Sequence, residues 1–275
     1  MTTPPLTDLF DLSGKTTIVT GGAGTIGSRV CKGLAAHGAN VAVVDLNHKA
    51  AQGLAAEIER EFNAATLAVA CDVADPESVN AMVGAVCAKF GTIDFLHNNA
   101  AAKASDLEAF FAPVEEFTLD VWREVMAVNL DGMFLVAQAV GKQMILQPTG
   151  GSILQTASTY GIVGPDFRVY EGSEYLGCKI TTPPVYAASK AGVVGLTKFL
   201  ATYWAAEQVR VNTLVPGGVE SGQNETFQNN YSARTPLGRM AQSDEMVGAV
   251  VYAASDASTY MTGQMLVVDG GWSAW

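Results

Sequence analysis

The chain has 275 residues, 49% of them hydrophobic, with 28 glycines and a formal net charge of −11. That length suits one large α/β domain rather than two full ones, and the apolar share allows a sizeable buried core. The acidic balance, with no clustered basic face, argues against nucleic acid and reads as a solubilising surface rather than as a sign of a cationic substrate.

The first residues, Met1 to Asp8, have no basic stretch followed by an apolar one, so 1–11 reads as a short extension and not as a signal peptide. Alternating elements then follow. Thr16 to Thr20 is expected as a strand, Ile26 to His37 as a helix, Val41 to Val44 as a strand and Lys49 to Phe62 as a helix. The pattern goes on with strand Thr66 to Ala70, helix Pro76 to Phe90, strand Ile93 to Leu96 and one long helix Leu119 to Met144. Strand Ser152 to Gln155, helix Tyr186 to Glu207, strand Arg210 to Val215, helix Asp244 to Ala254 and strand Met265 to Val268 complete it. Strands that are apolar throughout are buried on both faces, so the alternation implies a doubly wound parallel sheet between two layers of helices. A single domain over 12–275 is expected, with no linker or repeat to divide it. Two stretches break the rhythm, Ala101 to Thr118 and Gly161 to Pro184, and loops of that length are functional or mobile. Cys31, Cys71, Cys87 and Cys178 are scattered, with no His at ligand spacing, which suggests reduced thiols and no metal site. No apolar run reaches membrane-spanning length, and a cytoplasmic protein is expected.

The chemistry-bearing residues fall at the strand ends. The first strand runs through Thr20-Gly21-Gly22-Ala23-Gly24-Thr25-Ile26-Gly27 straight into a helix. Glycines there allow a tight turn and close approach of the backbone to a pyrophosphate, which the helix N-terminus would hold. Asp45 ends the second strand, where a carboxylate can accept both adenosine ribose hydroxyls and repel a 2′-phosphate; this favours NAD over NADP. Tyr186 and Lys190 are spaced i, i+4 and share a helix face. A nearby cation favours the phenolate, and moving a tyrosine by ~3 pKa units would take about 4 kcal/mol of differential stabilisation.

Taken together in this order, the glycine turn, Cys71-Asp72-Val73, Asn98-Asn99-Ala100-Ala101, Val128-Asn129, Ser158, Tyr186-x-x-x-Lys190, Arg210-Val211-Asn212, Pro216-Gly217-Gly218-Val219 and Val268-Asp269-Gly270-Gly271 resemble a compact short-chain dehydrogenase/reductase from about Leu12 to Trp272. The resemblance implies a three-layer Rossmann fold of about seven parallel strands and a nicotinamide cofactor across their C-terminal ends. It implies Tyr186 as general acid/base, Lys190 on the nicotinamide ribose and lowering the Tyr186 pKa, Ser158 on the reacting oxygen, and Asn129 holding a water that relays protons to Lys190. The same likeness puts Asp72 and Val73 at the adenine, lines the cofactor with Asn99, Ala100 and Ala101, and sets Pro216, Gly217, Val219 and Ser221 around the carboxamide. A small-molecule substrate and a homodimer or homotetramer also follow from it. The pairing would use the helices Leu119 to Met144 and Tyr186 to Glu207, with Ala187, Gly192, Gly195, Val136 and Val140 as stripe residues, and the C-terminal strand.

Three departures stand out. Thr25 replaces the middle glycine of the usual turn, so the spacing Gly21-x-x-Gly24-x-x-Gly27 is that of nucleotide-sugar enzymes. Ala101 stands for a glycine. Ser158 and Tyr186 lie 28 positions apart, about fifteen more than in compact relatives. The added segment, with Tyr170-Glu171-Gly172-Ser173, resembles a subgroup linked to carbohydrate or surface-polysaccharide metabolism. Arg168, Glu171 and Glu174 are expected to read sugar hydroxyls; the plain alternative is that the segment is a lid or an oligomer contact. The competing substrate class is apolar alcohols, cyclic ketones or steroid-like compounds, with Phe110, Phe111, Phe227, Tyr231, Trp272 and Trp275 as a pocket lining; chain-end aromatics can also be oligomer contacts. A cofactor-holding sensor without turnover and a nucleotide-sugar epimerase remain as further readings.

Overall fold

The computed structural model describes residues 5–275, so the first four residues of the expected extension 1–11 lie outside the described residues. Seven parallel strands form the central sheet: β1 (Thr16–Thr20), β2 (Asn40–Asp45), β3 (Thr66–Ala70), β4 (Phe95–Asn98), β5 (Gly151–Thr156), β8 (Val209–Pro216) and β9 (Met265–Val268). Their order is β3-β2-β1-β4-β5-β8-β9, with Val19 of β1 paired to Val43 of β2 on one side and to His97 of β4 on the other. The chain reverses its winding between β1 and β4. In doubly wound sheets such a reversal opens a crevice at the strand C-terminal ends.

Side chains alternate across a strand, and here adjacent residues go to opposite cores. Val19, Val41, Val43, Phe95 and Leu154 pack with α1 (Thr25–Ala36), α2 (His48–Phe62) and α9 (Val247–Ala254). Ile18, Ala42, Val44, Leu96 and Ile153 pack with α3 (Pro76–Phe90), α6 (Met133–Ile145) and α7 (Pro184–Tyr203). Fully burying each aliphatic side chain contributes roughly 1.5–3 kcal/mol, which is why strands apolar on both faces tie the two layers together.

The expected single helix from 119 is continuous but not uniformly α. It runs as α5 (Leu119–Met126), a π-helical stretch Ala127–Gly132, and α6. The segment Leu119–Ile145 is long and apolar enough to cross a bilayer by length and composition, but it is part of the core: Val125, Met133, Val136, Val140 and Met144 are buried against the protein. Val136 and Val140 are therefore not the surface stripe expected of them. Phe134, Phe199 and Tyr203 are exposed instead, the last two with stacked rings.

Two elements went unanticipated. The segment from 161 to 184 holds a 3-10 turn, Phe167–Tyr170, and a small hairpin of β6 (Glu174–Tyr175) and β7 (Cys178–Lys179). The hairpin turns at Leu176 and Gly177, both at positive φ, as a tight two-residue hairpin turn requires. The helix α8 (Glu225–Arg234) is polar nearly all round, with only Phe227 and Tyr231, at i and i+4, buried. The stretch 101–118 is loop apart from one short turn, α4 (Leu107–Phe110).

Candidate active site

A cavity of about 480 Å³ opens at the C-terminal ends of the strands. It brings together Thr25 and Ile26 from the glycine turn, Asn99 and Ala101 after β4, Ser158 after β5, Tyr186 and Lys190 on α7, and Pro216, Gly217, Val219 and Ser221 after β8.

The turn is built to meet an anion. Helices α2, α3 and α5 are each capped by a side chain, from Asn47, Asp75 and Thr118, whereas α1 begins at Gly24 with no side-chain cap. Its first N–H groups are left for a ligand, with the positive end of the helix dipole behind them. Gly21 has φ +62° and lies against the 99–100 backbone, where a Cβ would come within 3.1 Å of the Ala100 Cα. A Cβ on Gly27 would be 2.1 Å from the Gly21 carbonyl oxygen. Thr20 braces the turn from inside: its hydroxyl accepts the N–H groups of Asn99 and Ala100 at 2.9 and 3.1 Å. Asp45 accepts from the Ala23 N–H at 3.0 Å and the Asn47 N–H at 3.0 Å, tying the end of β2 to the glycine turn. Asp72 is exposed and accepts from the Ala74 N–H, while Val73 is buried beside it. Asp45, Asp72 and Val73 lie outside the cavity, towards the β2–β3 side. An uncapped helix start, a close-approach glycine turn and a strand-end acid fit a dinucleotide.

At the other end, Lys190 is almost fully buried, and its Nζ donates to the Thr156 carbonyl at 3.0 Å. Burial depresses its pKa to about 8. Burial likewise raises the Tyr186 phenol above its ordinary value, while hydrogen bonding with Ser158 lowers it in part. The Lys190 ammonium is turned to Thr156 here and sits 5.9 Å from the Tyr186 ring centre. Behind Thr156, the His97 ring shares a 2.9 Å hydrogen bond with the Thr156 hydroxyl. Burial drives the His97 pKa down to about 3, so the ring is neutral at ordinary pH.

Asn129 is fully buried within the π stretch. Its side-chain oxygen accepts from the Ala102 N–H at 2.8 Å and its amide donates to the Ala102 carbonyl at 3.2 Å. These two hydrogen bonds hold the 101–103 backbone at the cavity edge and leave one N–H and one lone pair of the side chain unused.

The charged residues of the 161–184 segment do not line the cavity. Arg168 is 80% exposed and forms a forked ion pair with Asp166, at 2.8 and 2.7 Å. Glu171 and Glu174 are exposed; their main-chain carbonyls accept hydrogen bonds from Asn230 and Asn224 of the α8 segment, each at 3.0 Å. The physical reason is solvation: a charge on the surface keeps its water, and Arg168 already has Asp166 as its partner there. In their place the segment presents Tyr170, Thr181, Thr182 and Pro183 to the cavity. Tyr160 and Thr182 escaped the sequence reading, while Tyr170 entered it only as part of the added segment. A signal existed in their neutrality, since a buried tyrosine or threonine can offer a hydroxyl without a charge to desolvate.

Of the aromatic residues, Phe110, Phe111, Phe227 and Tyr231 line the cavity. Trp272 is buried behind it and stacks on Tyr231 with ring centres 4.2 Å apart. Trp275 lies outside, where Arg234 is held between it and Trp272 and also approaches Asp166 at 3.5 Å.

Comparison with known proteins gives a consistent family. Residues 21–273 match the family model described as enoyl-(acyl carrier protein) reductase. The chain is 41% identical over 269 residues to a D-threitol dehydrogenase of Mycolicibacterium smegmatis, covering 96% of this chain and 95% of that protein. It is 36% identical over 273 residues to a 2,5-dichloro-2,5-cyclohexadiene-1,4-diol dehydrogenase of Sphingobium indicum, covering 97% and 100%. Among solved structures, a short-chain type dehydrogenase/reductase from Mycobacterium marinum superposes with a TM-score of 0.87 at 33% identity, covering 99% and 100% of the two chains. A gluconate 5-dehydrogenase from Burkholderia cenocepacia, in complex with NADP and tartrate, gives 0.85 at 34% identity and 98% of each chain. An NAD+-bound xylitol dehydrogenase gives 0.83 at 30%, covering 94% and 99%.

Proposed function

The chain belongs to the short-chain dehydrogenase/reductase family, whose members here are nicotinamide-dependent oxidoreductases of CH–OH groups, and from that premise we propose that it interconverts a polyol, sugar or sugar derivative and its carbonyl with NAD. The observation that carries the reading is the meeting of Ser158, Tyr186 and Lys190 in one cavity with the uncapped start of α1. Bound nicotinamide supplies a ring that accepts or returns hydride. The glycine turn and Asp45 would hold its adenosine half, with Asp72 and Val73 at the adenine. Asn99, Ala100, Ala101, Pro216, Gly217, Val219 and Ser221 would line the other half, and Lys190 would bind the nicotinamide ribose. Ser158 would donate to the substrate oxygen and keep it beside the phenol. Tyr186 would take the hydroxyl proton during oxidation, as the C–O bond becomes a carbonyl, and return it during reduction. Asn129 would hold a water that relays protons to Lys190, and it would also position the backbone at Ala102.

The names of the threitol, xylitol and gluconate relatives support a polyhydroxylated substrate. A second reading, a cyclic or apolar alcohol, is favoured by the wall of Phe110, Phe111 and Phe227 and by the cyclohexadiene-diol relative. Initial rates across tetritols, pentitols, aldonates, cyclohexanol and butan-2-ol, each with NAD+ and NADP+, separate the two. We expect the polyols to be preferred, with NAD+ better than NADP+. In Asp45→Asn, the neutral amide keeps an acceptor for Ala23 while removing the charge that repels a 2′-phosphate. The NAD+/NADP+ preference should fall at least tenfold, or about 1.4 kcal/mol. A preference that does not move would remove Asp45 from cofactor selection.

The same reading gives a cytoplasmic homodimer or homotetramer paired through the helical run 119–145 and α7, and the exposed Phe134, Phe199 and Tyr203 support that surface. A monomer in light scattering would refute it.

A further inference from the structure

Three hydroxyls that the proposed reaction does not use lie together in the cavity. Tyr160 follows Ser158 by two residues, while Tyr170 and Thr182 stand on either side of the small hairpin. All three line the cavity beside Ser158 and Tyr186. Thr182 and Tyr160 are each 8% exposed, so these oxygens are nearly out of bulk water. The Tyr170 hydroxyl is hydrogen-bonded to that of Thr182 and reaches the Tyr160 hydroxyl at 3.4 Å. The Tyr170 ring packs against Phe227 with ring centres 5.4 Å apart, and Tyr186 packs against the same cluster.

Each hydroxyl carries one donor and two acceptor sites. Two mutual contacts among three hydroxyls use two donors and two acceptors. One O–H and four lone pairs remain unmatched among residues that line the cavity. With Thr182 donating to Tyr170 and Tyr170 to Tyr160, the remaining proton is that of Tyr160, the hydroxyl nearest in sequence to Ser158. A ligand group that both donates and accepts completes this arrangement; an alkyl group does not. The charged side chains of the inserted segment take no part, because Arg168, Glu171 and Glu174 lie outside the cavity.

We propose that Tyr170, Thr182 and Tyr160 form a subsite for a second hydroxyl of the substrate, on the carbon next to the one oxidised, and so select vicinal polyols over monohydric alcohols. The inference rests on the polyol reading of the cavity and assigns its specificity to neutral side chains of the inserted segment.

A four-carbon series tests it: kcat/KM for butan-2-ol, butane-2,3-diol and threitol with wild-type enzyme and NAD+, then with Tyr170→Phe, Thr182→Val and Thr182→Ser. Wild type should improve as hydroxyls are added. Tyr170→Phe and Thr182→Val should lower the threitol to butan-2-ol ratio at least tenfold, mainly through KM, and Thr182→Ser should retain most of that ratio. An equal loss on all three substrates would mean that the residues only pack, and would overturn the subsite while leaving the polyol reading intact. Wild type that prefers butan-2-ol, or oxidises none of the series, would overturn both. If Tyr170→Phe does not fold, the contrast between Thr182→Val and Thr182→Ser decides alone, and indistinguishable ratios for these two overturn the subsite.

Discussion

Tyr186→Phe is expected to bind the nicotinamide cofactor about as well as wild type and to lose ~10²–10⁴ of kcat, the range usual for removing a general acid/base. The substitution deletes one oxygen and leaves the ring packed against the Tyr160–Trp272 cluster, so stability should change little. The electrostatics sharpen this expectation. Without ligand the phenol is pushed up by burial, and the buried lysine four residues on is pushed down to about 8. The phenol is held in its neutral form, in which it is a poor base, while the lysine at about 8 stays mostly protonated at neutral pH. A cationic ring entering beside them favours the phenolate and reverses this balance for Tyr186. Oxidation needs the deprotonated phenol, so its kcat/KM should rise with pH; reduction needs the protonated phenol and should fall. Steady-state rates with a fluorescence titration of cofactor decide the matter. Turnover within a few-fold of wild type, with binding intact, would sink the assignment of Tyr186 as the proton carrier.

Gly27→Ala should abolish tight cofactor binding, by ~100-fold or more, equivalent to about 2.7 kcal/mol. The added Cβ would sit 2.1 Å from the Gly21 carbonyl oxygen, a backbone atom of the turn that cannot step aside like a flexible side chain. The turn would have to open, which separates the α1 N–H groups from the backbone they share the site with. Gly53→Ala on α2 is the matched control: a Cβ there meets nothing within 4 Å. It should raise stability by roughly 0.5–1 kcal/mol through the usual helix preference for alanine. Calorimetric titration with NAD+ and thermal melts of both variants make the comparison. Wild-type affinity in Gly27→Ala would mean that the turn does not hold the cofactor.

The strands and most helices were legible because apolar runs on both faces and side-chain periodicity report burial directly. That the sheet is parallel and covered on both faces followed from the alternation of strand and helix, whereas the order of its strands came only with the structure. Ser158 lies just after β5, and Tyr186 and Lys190 lie in the first two turns of α7, which is why the three line one cavity. What escaped is where burial and polarity part company. Helix α8 has no apolar stripe, only Phe227 and Tyr231, so its periodicity is silent. Val136 and Val140 looked like interface residues, yet an apolar stripe looks the same whether a partner or the protein's own core covers it. In the inserted segment, charge drew attention to Arg168, Glu171 and Glu174, while desolvation cost sends such charges outward and leaves the neutral hydroxyls inside. The hydrogen bonding of Asn129 to Ala102 depends on a widened helical turn that no local pattern announces.

The hydrogen bonds from Asn224 and Asn230 to the carbonyls of Glu174 and Glu171, and the approach of Arg234 to Asp166, bolt the inserted segment onto α8. Specificity here is therefore not modular at the level of one loop. Grafting residues 161–184 alone into a shorter relative would leave Tyr170 without its backing from Phe227 and the hairpin without its asparagine anchors. The heritable, transplantable unit is the pair of segments, 161–184 with 223–235, and lineages that gained one would be under selection to refit the other.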